Sequence, residues 1–241
     1  MTFFKQGRVI LNGRRCGIPA AEWGNIMSDL FQMMDFTVLW DTVLRAAAVL
    51  LCLTVHELCH GLTACALGDP TAKARHRLSL NPLRHIDWLG LAMMFVAGFG
   101  WAKAVPVDPR YFRRPKQGMA LTALAGPASN FLFAFSAILL SKAIYLYAPY
   151  NTVWNMLFDF CLYTLAPLSI GLGLFNLLPI PPLDGAKALG IFLPDRTYFS
   201  LMRYERYGML ALLLLSWLGF TGGFISGAIL HVFQAFVDLI Y

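Results

Sequence analysis

Long apolar runs without charge constrain this chain more than any other feature. No Asp, Glu, Lys or Arg occurs in residues 118–141, 160–183 or 207–237. Roughly 20 such residues, wound as a helix, cross a hydrocarbon core about 30 Å thick. Each run is therefore expected to span a bilayer, with the glycines of 219–223 as a possible break in the last. Residues 37–67 are apolar overall but carry Asp41, Arg45, His56, Glu57 and His60, and residues 89–102 are apolar but too short to span as a helix. The composition agrees: 58% of residues are hydrophobic and 13% charged, against about 25% charged in soluble domains. The expected fold is an all-α polytopic membrane protein with about four transmembrane helices. Residues 1–36 read as a polar, interfacial segment and 37–241 as the membrane-embedded domain. Residues 1–30 hold no uninterrupted apolar core, so no cleavable signal peptide is expected.

The basic residues set the topology. Lys73, Arg75, Arg77 and Arg84 follow the first segment; Lys103, Arg110, Arg113, Arg114 and Lys116 follow the short one; Lys187, Arg196, Arg203 and Arg206 follow residues 160–183. The link at 148–152 has no charge. By the positive-inside rule the three basic loops are cytoplasmic and the uncharged link lies outside. Both flanks of residues 89–102 then share one face, so this stretch dips in and returns as a re-entrant element between the first and second spans. The same scheme puts the N-terminus outside, against Lys5, Arg8, Arg14 and Arg15. Loop bias and anionic lipid headgroups account for the net charge of +6, so no nucleic-acid partner is expected. The five cysteines form no CxxC pair and read as small hydrophobes rather than as a disulfide framework.

The chemistry sits in the first apolar segment. His56 and His60 are four residues apart in His56-Glu57-Leu58-Cys59-His60, so a helix puts both imidazoles on one face. HExxH on a helix is a zinc signature, with Glu57 as general base toward the water that the metal acidifies. Three ionisable groups at membrane depth are costly and normally mark a functional site. A catalytic zinc takes three protein ligands. The best third candidate is Asp184, at the end of Asn176-Leu177-Leu178-Pro179-Ile180-Pro181-Pro182-Leu183-Asp184-Gly185. Its three prolines must break a helix, and broken backbone at that depth has to line a polar cavity or be buried in protein. The other reading of Asp184 is an N-cap at the membrane surface. His76 and His85 read as surface histidines of a basic loop, and His231 as an anchor or a bundle hydrogen bond. Asn130, deep in an apolar run, suits helix–helix hydrogen bonding, and Gly126 suits close packing.

These motifs in this order resemble the site-2 protease family of intramembrane zinc metalloproteases, in a compact form without PDZ or CBS domains. The resemblance covers roughly residues 50–190. It rests on the HELCH segment, Asn81-Pro82-Leu83-Arg84-His85-Ile86-Asp87, Val105-Pro106-Val107-Asp108-Pro109, Ala125-Gly126-Pro127-Ala128-Ser129-Asn130 and the run from Asn176 to Gly185. It implies Zn2+ held by His56, His60 and Asp184, and Glu57 as base. It also implies substrate binding by Asn176 and Asn130. Gly98 and Gly100 would belong to a re-entrant β-hairpin that presents an unwound substrate strand. The family often has Asp-Gly-Gly where this chain has Asp184-Gly185-Ala186. The implied activity is regulated intramembrane proteolysis: hydrolysis of peptide bonds in or near transmembrane helices of membrane-protein substrates. The implied location is the lipid bilayer of a prokaryotic cytoplasmic membrane, with the active site toward the cytoplasm. Two other functions fit the ligand set: a zinc transporter or sensor, which needs no base at Glu57, and a non-catalytic scaffold of the same fold.

Overall fold

The computed structural model describes residues 9–11, 14–16, 36–90, 93, 102–194, 196–198, 200, 207, 208, 210, 212, 214 and 220–241. Gly98 and Gly100, and with them most of the expected re-entrant element, lie outside the described residues. The chain divides into two compact units, Met1–Val43 and Leu44–Tyr241.

The first unit contains two short strands, β1 (Val9–Leu11) and β2 (Arg14–Cys16), paired antiparallel with Val9 opposite Cys16 and Leu11 opposite Arg14. An all-helical expectation did not include them. The signal was Asn12-Gly13 between two runs with apolar residues, the dipeptide that tight hairpins favour.

The helices are α1 (Phe36–Ala66), which runs from the first unit into the second, then α2 (Thr71–Ala74), α3 (Pro115–Tyr147), α4 (Thr152–Asp159), α5 (Ala166–Asn176), α6 (Asp184–Leu189) and α7 (Phe220–Ile240). Leu39–Ala66, Pro115–Tyr147 and Thr152–Asn176 are long and apolar enough to cross a membrane. The protein is an integral membrane protein. The third of these helices begins earlier and ends earlier than the uncharged run 160–183. Asn151 starts it by accepting the Trp154 amide on its side chain at 3.1 Å. Pro179, Pro181 and Pro182 cannot continue it, so the chain leaves helical geometry after Asn176. A wide π turn, Phe160–Leu165, joins α4 to α5. It ends two residues before Pro167, whose ring would press on the preceding turn of a regular helix.

Small residues let the spans approach closely, as membrane helices require in the absence of a strong hydrophobic drive. The core is built from Ala48 and Cys52 of α1, Ala134, Ala137 and Ile138 of α3, Cys161, Leu162 and Leu165 of the π turn, Ala166 and Ile170 of α5, and Ile240 of α7. Pro115 opens α3 at a position where its missing N–H costs no helical bond. In this packing α3 lies against α1's histidines through Gly126 and against α5 through Gly173, where an added β-carbon would meet the Pro127 carbonyl at 3.3 Å.

Candidate metal centre

His56 and His60 point from one face of α1, as their spacing dictates, and their Nε2 atoms are 2.9 Å apart. Asp184, the first residue of α6, reaches between them across the fold. Its Oδ2 is 3.1 Å from Nε2 of His56 and 3.0 Å from Nε2 of His60. All three residues are buried. The proline break delivers the carboxylate: Leu177 to Leu183 turns the chain back, and Gly185 then packs directly on the Leu177 carbonyl.

The protonation pattern explains what such a triangle needs. His60 donates its Nδ1 hydrogen to the Thr122 carbonyl at 2.6 Å. A neutral imidazole committed that way presents a bare lone pair at Nε2. That lone pair faces a carboxylate oxygen and a second imidazole nitrogen, an arrangement of acceptors that a cation satisfies. For His56 the partner is Asn130, whose side-chain amide meets Nδ1 at 3.1 Å. Asn130 is 0% exposed. With its amide nitrogen toward the ring, its Oδ1 has no partner. With the amide turned over, Oδ1 accepts Nδ1–H of His56 and frees Nε2 for a metal. Ser169 steadies the same place by donating its hydroxyl to the Asn130 carbonyl at 2.8 Å. The two imidazole nitrogens and the carboxylate oxygen stand 2.9–3.1 Å from one another, close enough to share one cation, and they are donor types that zinc takes. Among the described residues His56, His60 and Asp184 form the group able to hold a metal ion.

The chain is similar in sequence to several known proteins. A protein of Bacillus subtilis named "Putative zinc metalloprotease YwhC" is 38% identical over 167 residues, covering 67% of this chain and 74% of that one. Two proteins named "Putative zinc metalloprotease Rip2" follow. The one from Mycolicibacterium smegmatis is 31% identical, covering 79% of this chain and 72% of its own. The one from Mycobacterium tuberculosis strain H37Rv is 32% identical, covering 80% and 73%. The sequence model of peptidase family M50 matches residues 139–216, which include Asn176 and Asp184. The chain belongs to peptidase family M50, the site-2 proteases. No solved structure matches it.

As a member of that family it is a zinc metalloprotease. The remaining residues of this M50 peptidase singled out from sequence fall in different places. Glu57 is buried, and its Oε2 accepts the Val105 amide at 2.8 Å. Asn176 stands at the last turn of α5, half-buried, donating its amide to the Leu172 carbonyl at 2.9 Å. Asn130 contacts His56 rather than any open surface. His85, expected at the surface, is 3% exposed, with Nε2 donating to the Ser79 carbonyl at 2.8 Å. It is buried because the loop folds back on itself at the Ile86–Ala102 bridge. His76 is exposed, and exposed His231 bonds the Gly227 carbonyl of its own helix at 2.7 Å. Sequence reasoning missed Thr122, Ser169 and Val105. The first and last act through backbone atoms, which carry no residue-type signal. Gly126 was noted for close packing, and the surface it packs on proves to be the two histidines.

Proposed function

We propose that this M50 peptidase hydrolyses peptide bonds within or beside transmembrane segments of membrane proteins. His56, His60 and Asp184 hold Zn2+, and Glu57 is the general base. The observation that carries this reading is the convergence of three buried donors, two of them on a helix long and apolar enough to cross a membrane, with the buried carboxylate of Glu57 next in sequence to the first of them. Zinc held there would supply a Lewis acid that lowers the pKa of a bound water toward about 7 and polarises a peptide carbonyl. Thr122 and Asn130 keep both imidazoles in the tautomer that offers Nε2 inward. Glu57 takes the proton from the attacking water and returns it to the leaving amine. Asn176, at the start of the proline break, assists substrate binding. A metal carrier or sensor would need the three ligands but would have no use for Glu57.

A substrate helix has to unwind first, because its amides are hydrogen-bonded and shielded. Gly98 and Gly100 would help bind the opened strand, and α7 would supply a fourth span. The basic loops support a site facing the cytoplasm of a prokaryotic cell, so cleavage falls near the cytoplasmic leaflet. Comparing membrane proteomes of cells carrying wild type or Glu57→Gln tests the reading. Membrane-protein stubs should accumulate only in the variant, while its zinc content stays at the wild-type level. Identical proteomes would refute the proteolytic role of Glu57.

A further inference from the structure

Glu57 is held by an extended segment that is itself anchored at both ends. The bond from the Val105 amide to Oε2 of Glu57 is 2.8 Å long, and Val105 is buried. Pro106 follows Val105 and restricts it to extended geometry. At the start of the segment the Lys103 amide donates to the His85 carbonyl at 2.9 Å, beside the antiparallel bridge of Ile86 and Ala102. The Arg77 guanidinium clamps this pairing from the side. Its Nη2 donates to the carbonyls of Lys103 at 2.5 Å and Ala104 at 3.4 Å, and its Nη1 donates to the Arg84 carbonyl. At the far end Asp69, 0% exposed, accepts the Asp108 amide on Oδ2 at 2.7 Å. Asp69 is tied to α1 in turn, its amide donating to the Ala64 carbonyl at 2.9 Å. The chain just beyond the helix that carries Glu57 thus supplies one anchor of the strap that orients it.

We propose that Arg77 and Asp69 are positioning residues for the Glu57 carboxylate, acting through residues 103–108. This rests on Glu57 being the general base. A base must stand within about 2.6–3.2 Å of the proton it takes, and a misplacement of about 1 Å can cost roughly 10²-fold in rate. The planar fork of Arg77 reaches carbonyls on both sides of the pairing, which a lysine, with a single ammonium, cannot do at once.

The test uses the full-length, zinc-loaded protein in detergent with fluorescein-labelled casein as probe. It compares wild type, Glu57→Gln, Arg77→Met, Arg77→Lys and Asp69→Asn. Arg77→Met and Asp69→Asn should each lower kcat per bound zinc by about tenfold or more, with KM little changed and zinc content as in wild type. Arg77→Lys should recover part of the loss. Hydrogen–deuterium exchange at residues 102–108 should quicken in both disruptive variants, a readout independent of turnover. Asn keeps an oxygen for Thr71, so Asp69→Asn carries the test if Arg77→Met fails to fold. Wild-type kcat per zinc in both variants, with Glu57→Gln inactive, would overturn this proposal alone. A Glu57→Gln variant as active as wild type would instead overturn the assignment of the base.

Discussion

Gly126 lies so close to His60 that a β-carbon at this position would stand 2.5 Å from the imidazole Nε2 and 2.6 Å from Cε1 of His56. The backbone of α3 therefore forms one wall of the metal centre. In Gly126→Ala the helix itself gains about 0.5–1 kcal/mol from the better helix former, yet the methyl group occupies the space of the imidazoles. The variant should fold and reach the membrane while zinc, measured by elemental analysis of the purified protein, falls to a small fraction of the wild-type stoichiometry. Full zinc occupancy would show that α3 can back away.

Asn130→Ala removes the group that fixes the His56 ring. Partners of metal-bound histidines are worth about 10–100-fold in metal affinity or activity, and a loss of that size is expected in a chelator competition assay. Ser169→Ala, one bond further out, should have a smaller effect of the same sign.

Asp184→Asn takes away the carboxylate that faces both imidazoles. Zinc binding should weaken by more than in Asn130→Ala. The linkage appears in thermal unfolding as well: a ligand at 100 times its Kd stabilises the folded state by about 2.7 kcal/mol. Chelation should lower the wild-type midpoint and zinc should restore it. The midpoint of Asp184→Asn should respond to neither.

Gly185→Ala tests the proline break. A β-carbon there would come 2.2 Å from the Leu177 carbonyl oxygen, a backbone atom that cannot swing aside. The start of α6 must shift, and Asp184 with it. Zinc affinity should drop although no ligand has been replaced, as the same competition assay would show. Wild-type affinity in this variant would mean that the turn at 177–183 is compliant.

The segment at residues 98–100 shows how far local pattern carries. Its length and flanking charges point to a re-entrant element, and a family resemblance assigns Gly98 and Gly100 to it, but both lie outside the described residues. His85 shows the opposite case. Its neighbours in sequence are basic and loop-like, and that suggested exposure. It is buried by the pairing of Ile86 with Ala102, sixteen positions on, and no local pattern reports such a contact.

Read by itself, the sequence determined the membrane setting, the helix that carries His56, Glu57 and His60, and the break that ends at Asp184. Each follows from short-range physics: apolar length against bilayer thickness, a spacing of four residues in a helix, and prolines that cannot donate. Tertiary structure alone decided that Asp184 lies about 3 Å from two histidines more than 120 residues away in the chain. It also decided that Asn130 serves His56, and that the Thr122 carbonyl and the Val105 amide set the state of His60 and the place of Glu57. Those partners act through backbone atoms and long-range packing, which depend on how the spans approach one another rather than on which residue occupies a position.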